Sequence, residues 1–119
     1  MADDLRVLRF TQALRVLAEI RDGIVEATGC TVIPGIVDVP LITKLLEHSS
    51  YSWEDLRYCV GLVFDVIKAH QAPARASETC AKWGELMSRI GDWTLIMCDG
   101  LEFLLGRVNV MRIDAANAR

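Results

Sequence analysis

Four cysteines and two histidines are the residues of this chain that could serve as nucleophile and base, or as metal ligands. The cysteines form no close pair along the sequence and lie at Cys30, Cys59, Cys80 and Cys98. Zinc sites need ligands clustered as C-x-x-C or histidines at matching spacing, and neither His48 nor His70 supplies this. A catalytic thiol also needs an oriented base beside it, and no local signature of one is present. The pattern predicts buried, reduced thiols, with no catalytic residue, metal or cofactor.

Asp99 and Glu102 are the acidic pair with the best spacing for a divalent cation. Residues three apart lie on one face of a helix, and helical nucleotide hydrolases hold Mg²⁺ with such pairs. A site of this kind needs a second facing pair, but Glu54 and Asp55 lie at a predicted helix start, where capping explains them. We therefore interpret Asp99 and Glu102 as part of a solvated strip. A small Mg²⁺-dependent nucleotide hydrolase is kept as an alternative.

The segment 51–70 has the clearest structural pattern in the chain. Ser52 is placed to cap a helix, and Asp55 follows at the spacing of a capping box. Apolar residues at helical spacing cover most of the circumference, which leaves a narrow polar strip of Glu54, Arg57, Gly61, Asp65 and Lys68. A helix this apolar has to be enclosed by other elements, so it is predicted to be the central helix.

Four further helices are predicted from apolar periodicity and capping residues, over residues 3–28, 38–48, 77–90 and 93–113. Gly29 ends the first of them, and Asp38 caps the second. Pro34 and Gly35 favour a turn, so residues 30–41 are interpreted as an extended crossing over the helices. The tail 114–119 is predicted to fray, which leaves residues 1–113 as a single helical domain.

The predicted fold class is all-α, a compact bundle of about five helices with an extended Pro/Gly crossing at 30–41. Asp99–Gly100 between two apolar runs is also typical of a β-hairpin. An α+β fold with a hairpin at 93–105 is therefore the alternative. The flanking runs are rich in Leu and Met and do not alternate, which favours the helix.

The composition indicates interaction rather than catalysis. Hydrophobic residues make up 52% of the 119 residues, a high fraction for a small domain with much surface relative to its volume. The net charge of −3 argues against coating nucleic acid by bulk charge. No apolar run approaches the roughly 20 residues that span a bilayer, and the acidic start lacks a signal-peptide core. We therefore expect a soluble, cytoplasmic protein.

These features together predict a non-enzymatic, regulatory protein-interaction module. It is expected to form a homodimer and to bind or sequester a partner protein. The residues predicted to contact partners are Arg6, Arg9, Arg21, Ile33, Ile36, Val37, Arg107 and Arg112. The alternative is a helical dimer that binds nucleic acid by placing arginine side chains on phosphates.

Overall fold

The computed structural model describes residues 2–89 and 99–118. Within these residues there are six helices and no strand: α1 (Ala2–Thr28), α2 (Ile33–Ile36), α3 (Val39–Glu47), α4 (Trp53–His70), α5 (Pro73–Arg89) and α6 (Leu101–Asn117). The predicted all-α bundle of about five helices is confirmed, with α2 added as a single turn. The hairpin alternative is wrong for residues 101–105, which are helical, and its part at 93–98 lies outside the described residues.

α1 and α6 form the most extensive helix–helix contact in the described part of the chain. A Cβ atom added to Gly23 would overlap Val108 Cγ1, so the two backbones approach closely at this glycine. One turn further along both helices, Glu26 and Arg112 form an ion pair of 2.9 Å. Because both contacts advance in the same chain direction, α1 and α6 run parallel.

α4 begins as its sequence indicates. Ser52 Oγ accepts a hydrogen bond from the Asp55 amide at 3.2 Å, and the Asp55 carboxylate accepts one from the Ser52 amide at 2.8 Å. This reciprocal pair is a capping box, which satisfies two amide groups that a helix start leaves unpaired. The buried side of α4 is the predicted apolar stripe, extended by one thiol: Leu56, Cys59, Val60, Val63 and Ile67.

Aromatic contacts fix the start of α4 against α1. Phe10 is fully buried in α1. Its ring stacks on Trp53 with centroids 4.2 Å apart and meets the edge of Tyr51 at 5.9 Å. Burial raises the pKa of the Tyr51 hydroxyl far above its usual range, with further contributions from Cys59 and Asp55. Tyr51 and Trp53 therefore attach the start of α4 to the core.

The loop between α1 and α3 contains a helical turn where the sequence predicts an extended crossing at 30–41. Ile33 and Val37 are both fully buried, and the Val37 amide bonds to the Ile33 carbonyl at 3.0 Å. The turn pairs backbone groups that an extended segment would leave without a strand partner. Pro34 fits its first turn, where a missing amide hydrogen costs little. Val32, which precedes this turn, is 62% exposed.

The caps on either side of that turn agree with the sequence. Gly29 ends α1 with a φ of 70°, a left-handed conformation that glycine adopts without strain. Asp38 accepts a hydrogen bond from the Leu41 amide at 3.2 Å and so caps α3. Both predictions rest on interactions within a few residues, and both are confirmed.

α5 begins earlier than predicted. Its first residue is Pro73 rather than the residue after Ser77, because proline at the first helical position has a fixed φ that suits the helix. Thr79 is its buried residue, whereas Cys80, predicted to face inward, is exposed. Trp83 is half-buried and stacks on Phe64 of α4 at 4.9 Å. α5 therefore covers α4 with its aromatic side.

α6 continues past its predicted end near Ile113 to Asn117. Asp114 pairs with Arg75 of α5 at 3.3 Å, and two alanines follow it, which favour helix. The predicted start of this helix at Trp93 lies outside the described residues. The assignment of 1–113 as a single domain stays a prediction.

Candidate functional site

Cys59 and His70 each hydrogen-bond to a backbone carbonyl group of the chain. Cys59 lies in the core, donates a weak hydrogen bond to the Ile36 carbonyl at 3.5 Å, and has a pKa raised to about 11 by burial. A nucleophilic cysteine needs the opposite shift, because the thiolate is the reactive form. His70 Nδ1 instead lies 2.9 Å from the Val66 carbonyl of its own helix.

The acidic pair considered for metal binding has no supporting ligands in the described residues. Asp99 and Glu102 are both exposed. Within residues 2–89 and 99–118, no group of three or more His, Cys, Asp or Glu side chains is placed to hold a metal ion. The hydrolase alternative therefore receives no support from this part of the chain.

Arg107 lies inside the bundle, where it links α5 and α6. Its side chain is only 8% exposed. Its Nε donates to the Thr79 hydroxyl and its Nη1 to the Glu78 carboxylate, both at 2.9 Å. The hydrogen bond from Arg107, with a second from Lys82, lowers the pKa of Glu78. The Thr79 hydroxyl also lies 2.7 Å from Gln71 Oε1, which extends the network to the end of α4.

Sequence reasoning placed Arg107 on a partner surface and missed this network. The available signal was its position within the apolar stripe of α6, between Leu104 and Val108. A charged residue in such a stripe either extends along the surface or is paired inside. Its partners Glu78 and Thr79 are distant in sequence, so the pattern alone did not distinguish these cases.

Four other arginines are predicted to contact partners: Arg6, Arg9, Arg21 and Arg112. Arg9 is exposed on α1, whereas the side chain of Arg6 lies outside the described residues. Arg21 is held by Asp22 at 3.0 Å and donates to the Val37 carbonyl at 3.2 Å. Arg112 is paired with Glu26 of α1. Arg21 and Arg112 are thus already paired with acidic side chains of the chain itself.

Three apolar residues complete the predicted partner surface. Ile33 and Val37 are fully buried in the chain's own core, and Ile36 is half-buried. Burial within the monomer explains their apolar character without a partner. On this fold, Ile33 and Val37 do not contribute to a contact surface.

The most exposed large apolar side chain of the described residues lies on α4. Tyr58 is 70% exposed, although the opposite side of α4 is buried in the core. It stands beside the predicted polar strip, and together they form a continuous surface, which we name the α4 outer face: Glu54, Arg57, Tyr58, Gly61, Asp65 and Lys68. A shallow groove of about 470 Å³ follows this face.

Gly61 lies at the middle of the α4 outer face. A Cβ atom added there would meet nothing within 4 Å, so the packing of the chain does not require glycine at this position. Lys68 Nζ lies 3.8 Å from Asp65 Oδ1 in an ion pair and 5.6 Å from the centroid of the Phe64 ring. The face therefore combines charges of both signs with aromatic surface.

A second groove of about 560 Å³ lies between α1 and α3. Its floor includes Leu14 and Leu46, and its rim carries Arg15 and Glu47. Catalytic pockets usually combine an apolar lining with convergent polar groups. No histidine or cysteine is among the described residues that line this groove.

Comparison of the chain with protein-family models, with curated proteins and with solved structures found no match. In the described residues, no helix is both long and apolar enough to cross a membrane.

Proposed function

We propose that the chain is a non-enzymatic protein-interaction module that self-associates, with the α4 outer face as its contact surface. The observation that carries this proposal is the exposure of Tyr58 on the central helix. Tyrosine offers a large contact area, loses little conformational entropy when immobilised, and is enriched at the energetic centres of interfaces. Its position beside Gly61 leaves room for another backbone to approach.

The shape of the molecule supports the same proposal. Its Cα atoms span 49 × 31 × 16 Å, and a thickness of 16 Å accommodates only about two layers of helices packed 8–10 Å apart. A slab of this kind leaves one side of each helix near the surface. A hydrophobic fraction of 52% is then more than so thin a core needs. Association would cover part of this excess.

The predicted role also requires the chain to bind a second protein in addition to its own copy. A homodimer that binds or sequesters another protein would use the α4 outer face for one contact and leave the α1–α3 groove for another. The free thiols of Cys30, Cys59 and Cys80 are compatible with the predicted cytoplasmic location, where cysteines stay reduced.

The test is the mass of the particle in solution, measured by light scattering over a range of concentrations. We expect a mass approaching twice the 13.3 kDa of one chain at micromolar concentration or above. Tyr58→Ala should weaken this association. Leu41→Ala is the matched control, because Leu41 is an apolar side chain of α3 that is 53% exposed. It should leave the mass unchanged.

Circular dichroism of both variants shows whether they retain the helical fold. A monomeric mass for the wild-type chain up to about 1 mM would refute self-association, since even a weak contact of a few kcal/mol would be populated there. Equal loss of association in both variants would refute the assignment to α4.

A further inference from the structure

We propose that the α4 outer face binds the same face of a second copy of this chain, with the two helices antiparallel and their Gly61 residues at the two-fold axis. This inference rests on the proposed self-association and adds its geometry. It is carried by the charges on α4, which are arranged symmetrically around Gly61 with opposite signs.

Arg57 lies four residues before Gly61, and Asp65 lies four residues after it. In an antiparallel pair centred on Gly61, each Arg57 is therefore level with Asp65 of the second copy. With a rise of about 1.5 Å per residue, both lie about 6 Å from the axis along the helix. Arginine and carboxylate side chains span the remaining distance as an ion pair across the interface.

The next charged pair repeats the same relation. Glu54 lies seven residues before Gly61, and Lys68 lies seven residues after it. Antiparallel pairing places each Glu54 level with Lys68 of the second copy, about 10 Å from the axis. Because a two-fold interface is isologous, each of these contacts occurs twice.

The aromatic residues follow the same symmetry. Tyr58 and Phe64 lie three residues before and three residues after Gly61. Tyr58 is exposed, and Phe64 is half-buried against Trp83. Each Tyr58 is then level with Phe64 of the second copy, at a position where two rings can pack beside the glycines. Burial of Tyr58 supplies the apolar part of the contact.

Gly61 itself is explained by this arrangement. A glycine inside a helix weakens the helix relative to alanine, and the chain's own packing does not require it here. At a two-fold axis, the absence of a side chain lets the two helices approach closely.

The charges decide the direction of the pair. A parallel arrangement would place Arg57 against Arg57 and Asp65 against Asp65, so that like charges repel. The four charges of the face also sum to zero, since Glu54 and Asp65 balance Arg57 and Lys68. A neutral, alternating strip suits a copy of itself better than a polyanion or a strongly charged peptide.

The test is a charge exchange measured by sedimentation equilibrium at low salt. Arg57→Asp alone and Asp65→Arg alone should each weaken dimerisation about tenfold or more, because each creates two like-charge contacts. The double variant restores complementary pairs and should return the dimer Kd to within about threefold of the wild-type value. Arg15→Asp on α1 is the control for a change in net charge.

Glu54→Lys with Lys68→Glu tests the second pair in the same way, and it keeps the proposal testable if a change at Arg57 disturbs the fold. If the wild type dimerises but neither double variant regains its affinity, the antiparallel geometry is overturned. The proposed self-association is then left in place. A wild-type chain that is monomeric at every concentration would instead overturn the proposed function.

A disulfide provides an independent measurement of the axis. Gly61→Cys, made in a Cys80→Ser background and oxidised with dissolved oxygen, should form a dimer linked by a disulfide between the two introduced cysteines, identified by mass spectrometry. Gly84→Cys in the same background is the matched control, because Gly84 is also a helical glycine with nothing within 4 Å of an added Cβ atom. Linkage through Gly84→Cys as fast as through Gly61→Cys would contradict the proposed axis.

Discussion

The Arg107 guanidinium donates from Nε and Nη1 to Thr79 and Glu78, while its Nη2 is buried with no hydrogen-bond partner in the described residues. A buried cation is tolerated only when it is paired, because removing it from water is costly. Glu78 supplies the charge, although this carboxylate is 40% exposed. The network is therefore a junction between α5 and α6 whose strength depends on the ionisation of Glu78.

Glu78→Gln should destabilise the fold near neutral pH, because it leaves the Arg107 charge without its partner. The pKa of Glu78 is lowered from 4.5, so the carboxylate stabilises the fold fully above pH 4.5 and loses this contribution as the pH falls below that value. The free energies of unfolding of the wild type and of Glu78→Gln, measured in urea, should therefore differ at pH 7, and the difference should be smaller at about pH 3.

The matched control is Glu85→Gln, a similar change at an exposed residue of the same helix. It should leave the unfolding free energy near that of the wild type at both pH values. A wild-type advantage over Glu78→Gln that persists at low pH would show that the Glu78 charge is not its source.

Cys59 should resist alkylation in the folded protein, whereas the exposed Cys80 should react. Burial raises the pKa of the Cys59 thiol from its ordinary value of 9.0 to about 11. The neutral thiol therefore contributes fully to stability when the pH is below 9.0, and this contribution is lost as the pH rises toward 11. Iodoacetamide labelling at about pH 8, followed by peptide mass spectrometry, measures the difference. In urea both sites should react, and rapid native labelling of Cys59 would place it outside the core.

At the scale of the elements, the contact of α1 with α6 depends on Gly23. An alanine Cβ there would overlap Val108 Cγ1 and lie 3.3 Å from the Arg112 guanidinium. Val108 is fully buried and cannot move aside freely. We expect Gly23→Ala to lower the unfolding free energy by about 1–3 kcal/mol, the usual cost of overpacking.

Gly106→Ala is the control for the Gly23 change. It places the same methyl group in α6 at a position with nothing within 4 Å. Since alanine favours helix over glycine, we expect it to stabilise the protein by about 0.5–1 kcal/mol. Chemical denaturation of the two variants should shift in opposite directions. If both stabilise the protein, the close approach of α1 and α6 is wrong.

The helix ends that could be predicted from the sequence are those determined by residues nearby along the chain. The capping box at Ser52, the glycine stop at Gly29 and the cap at Asp38 all act within four residues. The turn at α2 could not be predicted in this way, because four residues have little helical preference of their own and are held by the burial of Ile33 and Val37.

None of the residues predicted to contact partners lies on the α4 outer face. The polar strip of α4 follows directly from helical periodicity, and four charges with Gly61 were identified on it. The exposure of Tyr58 depends on which neighbours cover α4, which periodicity does not report. Arg107 was assigned to a partner surface for the same reason. Helical periodicity gives the direction of a side chain but not the residues that it contacts.

At the scale of the whole molecule, self-association and folding should be coupled. A partner that binds only the folded chain stabilises it by mass action. We therefore expect the wild-type Tm to rise as the protein concentration increases from about 1 to 100 μM, and the Tm of Tyr58→Ala to depend on concentration less. Differential scanning calorimetry measures both.

The predicted single domain is tested by following thermal unfolding with two further probes. Residues 1–113 should unfold in one transition, seen together by circular dichroism and by tryptophan fluorescence. Two separated transitions would show that part of the chain folds independently. A Tm that does not change with concentration in the wild type would contradict the coupling.

The parallel contact of α1 and α6 joins segments that are made far apart in time. While the ribosome synthesises the intervening residues, the apolar side of α1, including Leu17 and Ile24, has no α6 to cover it. Such long-range closure delays folding and leaves apolar surface open to aggregation. We expect nascent chains halted before α6 to be bound by chaperones and to be released only once that helix has emerged.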